Sequence, residues 1–250
     1  MTNIFPQRVI CIDTETTGLP EFAGFAQFHA PHYLEAYQGS RVIEVAWVEM
    51  HSGSFVRETD LRVRPAGEFT LDASAEQVHG ISRAEILKAP NTTWNALQKL
   101  WEALVRGRSA SGELPLLVGH NIFFDWHVLA SESLRAGHFA LFEELSKASL
   151  HCTMIDNTKR CGLTRGRGRP KWPKLNELVA HLFEGEGVEQ AHSALGDARA
   201  TARCFLEVCR LTIKTKPHVH TTAQSTDHNS WDSGVFKRHD NSTRHHSRAW

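Results

Sequence analysis

The chain has 250 residues, 28 Lys and Arg against 28 Asp and Glu, a formal net charge of zero and a hydrophobic fraction of 41%. That composition suits one large α/β domain with a real core. It holds no apolar run near the roughly 18 residues of a membrane span, and Met1–Gln7 lack the basic start and apolar stretch of a signal peptide.

In chain order, the β-branched run Arg8–Asp13 (RVICID) predicts a first strand. Arg41–Met50 (RVIEVAWVEM) predicts a second and Ser54–Arg64 a third, closing an antiparallel group. Trp94, Leu97, Leu100, Trp101 and Leu104 recur at spacings of three and four, a helix capped by Thr92 or Thr93. Leu114–Gly119 (LPLLVG) reads as a buried strand feeding a helix from about Phe123, and Leu150–Ile155 as a short fifth strand. Two more helices are expected around Lys174–Phe183 and Ser193–Ile213. The fold class is therefore α/β: a mixed five-stranded sheet flanked by helices, occupying residues 1–213. Residues 214–250 are rich in Ser, Thr, Asn and His and hold six of the chain's 16 histidines. Such a segment buries too little apolar surface to offset its ordering entropy, so a polar, disordered tail is expected.

Three motifs carry candidate chemistry. Asp13-Thr14-Glu15-Thr16-Thr17-Gly18 closes the first strand, where residues two apart point to the same side and Asp13 and Glu15 present paired carboxylates. Paired hard oxygens suit Mg²⁺ or Mn²⁺; a solvated strand end is the plainer alternative. Gly119-His120-Asn121-Ile122-Phe123-Phe124-Asp125 joins a buried strand to a helix and sets Asp125 in its first turn, where it would also complement the helix dipole. His192-Ser193-Ala194-Leu195-Gly196-Asp197 opens the last helix. Five helical positions turn through about 140°, so His192 and Asp197 converge only if His192 precedes the helix in a loop.

Together, Asp13-x-Glu15, Asn121-x-x-Phe124-Asp125 and His192-x-Ala194-x-x-Asp197 resemble the DEDDh family of 3′→5′ exonucleases. They are most similar to the proofreading epsilon subunit of bacterial DNA polymerase III and its stand-alone relatives. DTETTGL, RVIEVAWVE and Val78-His79-Gly80-Ile81 extend the resemblance over about residues 8–210. It implies a ribonuclease-H-like exonuclease fold and metal-dependent removal of nucleoside 5′-monophosphates from the 3′ ends of DNA. By the same resemblance, Asp13, Glu15, Asp125 and Asp197 hold two Mg²⁺ or Mn²⁺ ions, one activating the attacking water and one stabilising the leaving 3′-oxygen. His192 is then the general base, a task that an ordinary imidazole pKa of about 6.5 suits. Thr16, Thr17, Gly18 and Leu19 would meet the terminal nucleotide, with Asn121 and Phe124 lining its pocket. Phe124 as core packing and His79 as a structural turn residue are equally open readings.

Lys159–Lys174 (KRCGLTRGRGRPKWPK) has seven basic residues and no acid, and its Gly and Pro predict a flexible loop. Its Arg-Gly-Arg-Pro core resembles an AT-hook. The favoured reading is phosphate tracking by Arg165, Arg167, Arg169 and Lys171, with Trp172 as a stacking surface. The zero net charge thus divides into +7 over 159–174, +3 over 214–250 and −10 elsewhere. Neutrality does not exclude a nucleic-acid enzyme.

The expected partner is a single-stranded or frayed 3′ end of DNA. An RNA-trimming enzyme is the near alternative, and a polymerase partner rests on family analogy alone. A non-catalytic binding module would predict damage in at least one of the five catalytic positions, and none is damaged. Cys11, Cys152, Cys161, Cys204 and Cys209 are odd in number and irregularly spaced, which argues against disulfides and for a reducing, cytoplasmic setting. His151, Cys152 and Cys161 fit no strong zinc pattern. Cys204 and Cys209 are expected to pack within the last helix.

Overall fold

Alternation in the first strand sets the layering of the molecule. In the computed structural model, which describes residues 5–24 and 26–214, β1 spans Arg8–Thr16 and so runs past its predicted end at Asp13. Val9 and Cys11 turn to one face of the sheet, Ile10 and Ile12 to the other. A small hairpin follows, β2 (Phe22–Gly24) against β3 (Gln27–Phe28). Then β4 (Val42–His51) and β5 (Ser54–Arg64) complete the expected antiparallel group with β1.

Two helices that periodicity did not reveal come next, α1 (Ala73–His79) and α2 (Arg83–Lys88). Both are too short for an apolar stripe and are set by caps. The Asp72 side chain accepts from the Ser74 amide at 2.7 Å, and Ser82 with Glu85 forms a capping box. The two-residue β6 (Asn91–Thr92) pairs in parallel with β5, and Thr92 caps α3 (Thr93–Arg106) by accepting from the Asn95 amide at 3.2 Å. β7 (Leu116–Gly119) feeds α4 (Ile122–Ala136), which is followed by α5 (Phe139–Lys147) and β8 (Leu150–Cys152). The remaining elements are α6 (Thr153–Asp156), α7 (Thr158–Cys161), β9 (Thr164–Arg165), β10 (Arg169–Pro170), α8 (Leu175–Leu182) and α9 (Ala194–Lys214).

The sheet order is β6-β5-β4-β1-β7-β8, with β7 parallel to β1 and β8 parallel to β7. The five expected strands are present, and β6 adds a short sixth at the edge. Two expectations need correction. The fifth strand ends at Cys152 rather than Ile155, because Thr153 starts a helical turn closed by Asn157 Nδ2 on its carbonyl at 2.8 Å. The basic segment is not a loop throughout: part of α7 and the β9–β10 hairpin, with Arg165 opposite Arg169, lie within it.

The two faces of the sheet carry separate cores. Ile10, Ile12, Trp47, Val63 and Leu117 pack with the inner faces of α3, α4 and α5. Val9, Cys11, Val48, Met50 and Val118 pack with Ala198, Ala202, Phe205 and Leu206 of α9. Burying each large aliphatic side chain contributes on the order of 2 kcal/mol. Cys204 and Cys209 are packing residues, as expected. Among the described residues no helix is long and apolar enough to cross a membrane. Residues 215–250, most of the segment expected as a tail, lie outside the described residues.

One buried ion pair ties the elements that frame the first motif. Arg41 Nε and Nη2 donate to Glu132 Oε1 and Oε2 of α4 at 2.5 and 3.3 Å, and both side chains are only 2% exposed. The Arg41 amide donates to Thr17 Oγ1 at 2.9 Å, and the Arg41 carbonyl accepts from the Thr17 amide at 2.9 Å. Start of β4, turn after β1 and α4 are thereby locked together.

Candidate active site

The parity that sorts the core also sorts the carboxylates. Asp13 and Glu15 share the face of Val9 and Cys11, where α9 packs, and Asp197 stands in the first turn of α9. One carboxylate oxygen from each of the three lies within 4.8 Å of the others. Thr14, on the opposite face, donates from Oγ1 to Asp125 Oδ1 at 2.8 Å, and Asp125 is buried in the first turn of α4. Asp125 thus sits beside the triple rather than in it, close enough to repel Asp13. Among the described residues this triple is the one grouping of three or more potential metal ligands, and His151, Cys152 and Cys161 form none.

The acids are gathered at an electrostatic cost. Burial first, then repulsion from Asp125, Asp197, Glu15 and Glu44, holds the Asp13 carboxyl well above the usual carboxylate range. Burial and repulsion from Asp197 and Glu44 push Glu15 up to about 8. Burial pushes Asp125 up to about 7 against the opposing Thr14 hydrogen bond. Asp197 is also raised by burial, with His192 acting the other way. Converging hard oxygens that repel one another are what a small divalent cation fits.

This yields a pH prediction. Each raised carboxyl binds its proton more tightly folded than unfolded, so its stabilising contribution is complete below the unfolded value of about 4. That contribution is lost as pH rises through about 7 for Asp125 and about 8 for Glu15. Metal-free protein should therefore lose stability between pH 5 and 8, and Mg²⁺ or Mn²⁺ should restore it more at pH 8 than at pH 5.5. A cation at 100 times its Kd adds about 2.7 kcal/mol, on the order of 5–10 °C in Tm. A thermal shift independent of pH would count against the carboxylates as the ligands.

Glu44 was not singled out from the sequence. It lies directly opposite Glu15 across β1 and β4, is almost fully buried, and accepts from the Ala194 amide at 3.2 Å. It also pairs with Arg62 at 3.4 Å. The signal was a lone acid inside a buried strand, Val42-Ile43-Glu44-Val45-Ala46. Glu44 satisfies an orphan N–H at the start of α9 and so holds Asp197 against Asp13 and Glu15.

His192 precedes the helix in a loop, the placement that convergence with Asp197 requires. Ser193 caps α9, accepting from the Gly196 amide at 3.2 Å, while His192 is exposed with φ 64 and its amide faces the Asp197 carboxylate. The sharp return of this loop depends on Gly196, where a Cβ would lie 2.8 Å from the Glu189 carbonyl oxygen.

Thr16 and Thr17 are buried and shape the turn, their hydroxyls donating to the Gly18 carbonyl at 2.7 Å and the Gly39 carbonyl at 2.8 Å. Gly18 fits because a Cβ there would come within 3.0 Å of the Gly39 oxygen. Leu19 projects beyond, 71% exposed. His79 sits in the α1 terminus, with Nδ1 accepting from the Ile81 amide at 3.0 Å and its ring beside the Thr16 carbonyl. Asn121 has left-handed backbone (φ 71) and its side chain does not cap α4. That is an uncommon conformation tolerated best by Asn and typical of functional turns. Phe124 is half-buried against the main core.

The basic residues divide by exposure. Arg167 and Arg169 are exposed, Arg165 is half-buried, and Lys171 pairs with Glu177. Trp172 packs half-buried against the main core, so it is not a freely presented ring. The base of the segment is held by His120, whose Nε2 donates to the Pro173 carbonyl at 3.0 Å while Nδ1 meets Thr153 Oγ1 at 3.1 Å. Burial pushes His120 down to about 4, leaving it a neutral tie between the basic segment and the Asn121 turn.

A mixed sheet between helical layers, with acids gathered on its central strand, is the ribonuclease-H-like class of α/β domain. The family model described as Exonuclease (RNase_T) matches residues 10–205, and the chain belongs to that family. No curated protein sequence matches it. Among solved structures, E. coli exonuclease I in complex with a dT13 oligonucleotide matches at 15% identity and TM-score 0.59, over 83% of this chain and 43% of that one. Exonuclease I from Methylocaldum szegediense matches at 18% identity and TM-score 0.59, over 83% and 41%. A 3′-exonuclease described in 3′-end specific recognition of a histone mRNA stem-loop matches at 14% identity and TM-score 0.58, over 84% of both chains. These likenesses concern the fold, and the chain spans less than half the length of the exonuclease I structures.

Proposed function

We propose that this protein is a divalent-metal-dependent 3′→5′ exonuclease that releases nucleoside 5′-monophosphates from unpaired 3′ ends of DNA. The convergence of Asp13, Glu15 and Asp197, with Asp125 beside them, carries the reading. These four carboxylates would hold two Mg²⁺ or Mn²⁺ ions, which when bound neutralise the crowded charge and supply Lewis-acid activation of the phosphodiester. A water oxygen attacks the terminal phosphorus, the bond to the preceding 3′-oxygen breaks, and the monophosphate leaves. His192 takes the proton of the attacking water on its ring, and its place on an exposed loop over Asp197 supports that role. The backbone of Thr16, Thr17 and Gly18, the exposed Leu19, and Asn121 with Phe124 would seat the last nucleotide. His79 would act by supporting the Thr16 turn.

The β9–β10 hairpin would track phosphates through Arg165, Arg167 and Arg169. Reversing these three charges should weaken strand binding severalfold and flatten its dependence on salt by about 0.7 units of slope per lost phosphate contact. An unchanged slope would reject that role.

RNA is the second reading, since one structure matched over 84% of its length is described in recognition of an mRNA stem-loop. The 2′-hydroxyl is what separates the two substrates. Digestion of matched DNA and RNA oligonucleotides, single-stranded and with mismatched ends, decides between them. Faster loss of the DNA strand supports the proposal; preference for RNA assigns the enzyme to RNA trimming. Co-purification with a polymerase is the separate test of a proofreading partnership.

A further inference from the structure

The β2–β3 hairpin has no place in the chemistry above. Phe22 and Phe28 stand opposite each other in its register, with ring centroids 5.3 Å apart at 52°. Phe28 stacks on His127 of α4 at 4.5 Å and 17°, and its ring lies 6.5 Å from that of Phe124. Phe124 is the residue before Asp125. A row of rings therefore leads outward from the residue beside Asp125, from Phe124 through Phe28 to Phe22, whose side chain is left 42% exposed.

Strands of three and two residues are marginal by themselves, and Phe28, not Phe22, makes the ring contacts to α4 that hold the piece to the domain. An exposed aromatic residue continuous with a site is characteristic of a recognition surface. The charge pattern states what it recognises. Residues 19–37 contain no Lys or Arg but do contain Glu21 and Glu35, so the hairpin is unsuited to phosphates. Flat rings without cations suit the faces of unpaired bases, and stacking of that kind tolerates any sequence.

The geometry points to the β2–β3 hairpin as a base-stacking platform, in which Phe22 and Phe28 grip the bases next to the terminal nucleotide of a single strand. The inference rests on the proposed function and deepens it. It names the substrate as an unpaired 3′ end several nucleotides long, because bases stacked within a duplex cannot lie on these rings. It also separates two grips: the arginine hairpin holds the backbone in a salt-dependent way, and the phenylalanine hairpin holds bases in a salt-independent way.

The test uses the full chain and single strands with 2-aminopurine at the second or third position from the 3′ end, titrated in EDTA so that nothing is cleaved. Phe22→Ala should weaken binding about tenfold and abolish the quenching of the probe, with the salt slope unchanged. Phe22→Trp should restore both. Phe28→Ala should act in the same direction, and Phe139→Ala, at an exposed site on α5, should behave as wild type. With Mg²⁺, the ratio of kcat/KM for an eight-nucleotide strand to that for the p-nitrophenyl ester of thymidine 5′-monophosphate should fall in Phe22→Ala. Unchanged quenching and affinity in folded Phe22→Ala would overturn the inference. So would conversion of a wild-type dimer to a monomer with strand binding intact, which would make this face a protein interface. Wild-type protein that cleaves neither strand nor ester would refute the proposed function, while the EDTA titration would still judge the hairpin.

Discussion

Asp13→Asn should reduce cleavage by at least about a thousandfold, on the scale of removing a central electrostatic element of a catalytic site. The fold should survive the change. Asp13 is not part of either apolar core; it is half-buried, and its carboxyl is repelled by Asp125, Asp197, Glu15 and Glu44. Removing its charge relieves that repulsion, so metal-free Asp13→Asn should melt no lower than wild type at pH 8, and higher if the repulsion is large. The stabilisation by Mg²⁺ should shrink in the same variant. Loss of activity, a gain or no change in metal-free Tm, and a smaller metal response form one linked result. Measuring rate and melting curves with and without Mg²⁺ checks all three. A variant that lost activity because it unfolded would instead show that Asp13 holds the strand in place.

Glu132→Ala should be strongly destabilising while leaving all four clustered carboxylates and His192 in place. It strands the buried Arg41 guanidinium, and breaking a buried pair from one side costs about 3–5 kcal/mol. For a domain of this size that is a fall in Tm of roughly 10 °C or more. Replacing both partners with apolar residues, Arg41→Met with Glu132→Leu, should recover most of the loss, since neither charge is then buried alone. Activity need not recover with stability. Arg41 also fixes the Thr17 turn through its backbone, and the pair sets α4, with Asp125 and Phe124, against that turn. Thermal denaturation of the single and double variants tests the energetic claim, and a loss below 1 kcal/mol in Glu132→Ala would contradict it.

Local geometry made only part of this site legible in the sequence. Strand alternation alone puts Asp13 and Glu15 on one face, whereas Asp125, His192 and Asp197 join them in the sequence only through the resemblance of the three motifs to DEDDh exonucleases. What the sequence hid depends on relations between distant segments. Glu44 meets the Ala194 amide only because the β1–β4 register places it opposite Glu15. Gly196 matters because the loop leading into α9 folds back over it. His120 had no role assigned in the second motif, and its two ring contacts, to Thr153 and to the Pro173 carbonyl, join segments far apart in sequence. The short α1 and α2 escaped for a different reason: with one turn or two, caps rather than periodicity define them. The β2–β3 hairpin has strands too short to show alternation, and only the ring contacts reveal what it presents.

If these carboxylates hold metal ions, as proposed, nucleotides should leave one at a time from the 3′ end. The most direct measurement follows a 5′-labelled single strand through time with wild-type protein in Mg²⁺ and in EDTA, identifying the released product by mass. The expected result is a ladder shortening from the 3′ end by single nucleotides, nucleoside 5′-monophosphate as product, and no reaction in EDTA. Immediate release of the 5′ label, internal cuts, or equal cleavage in EDTA would contradict it.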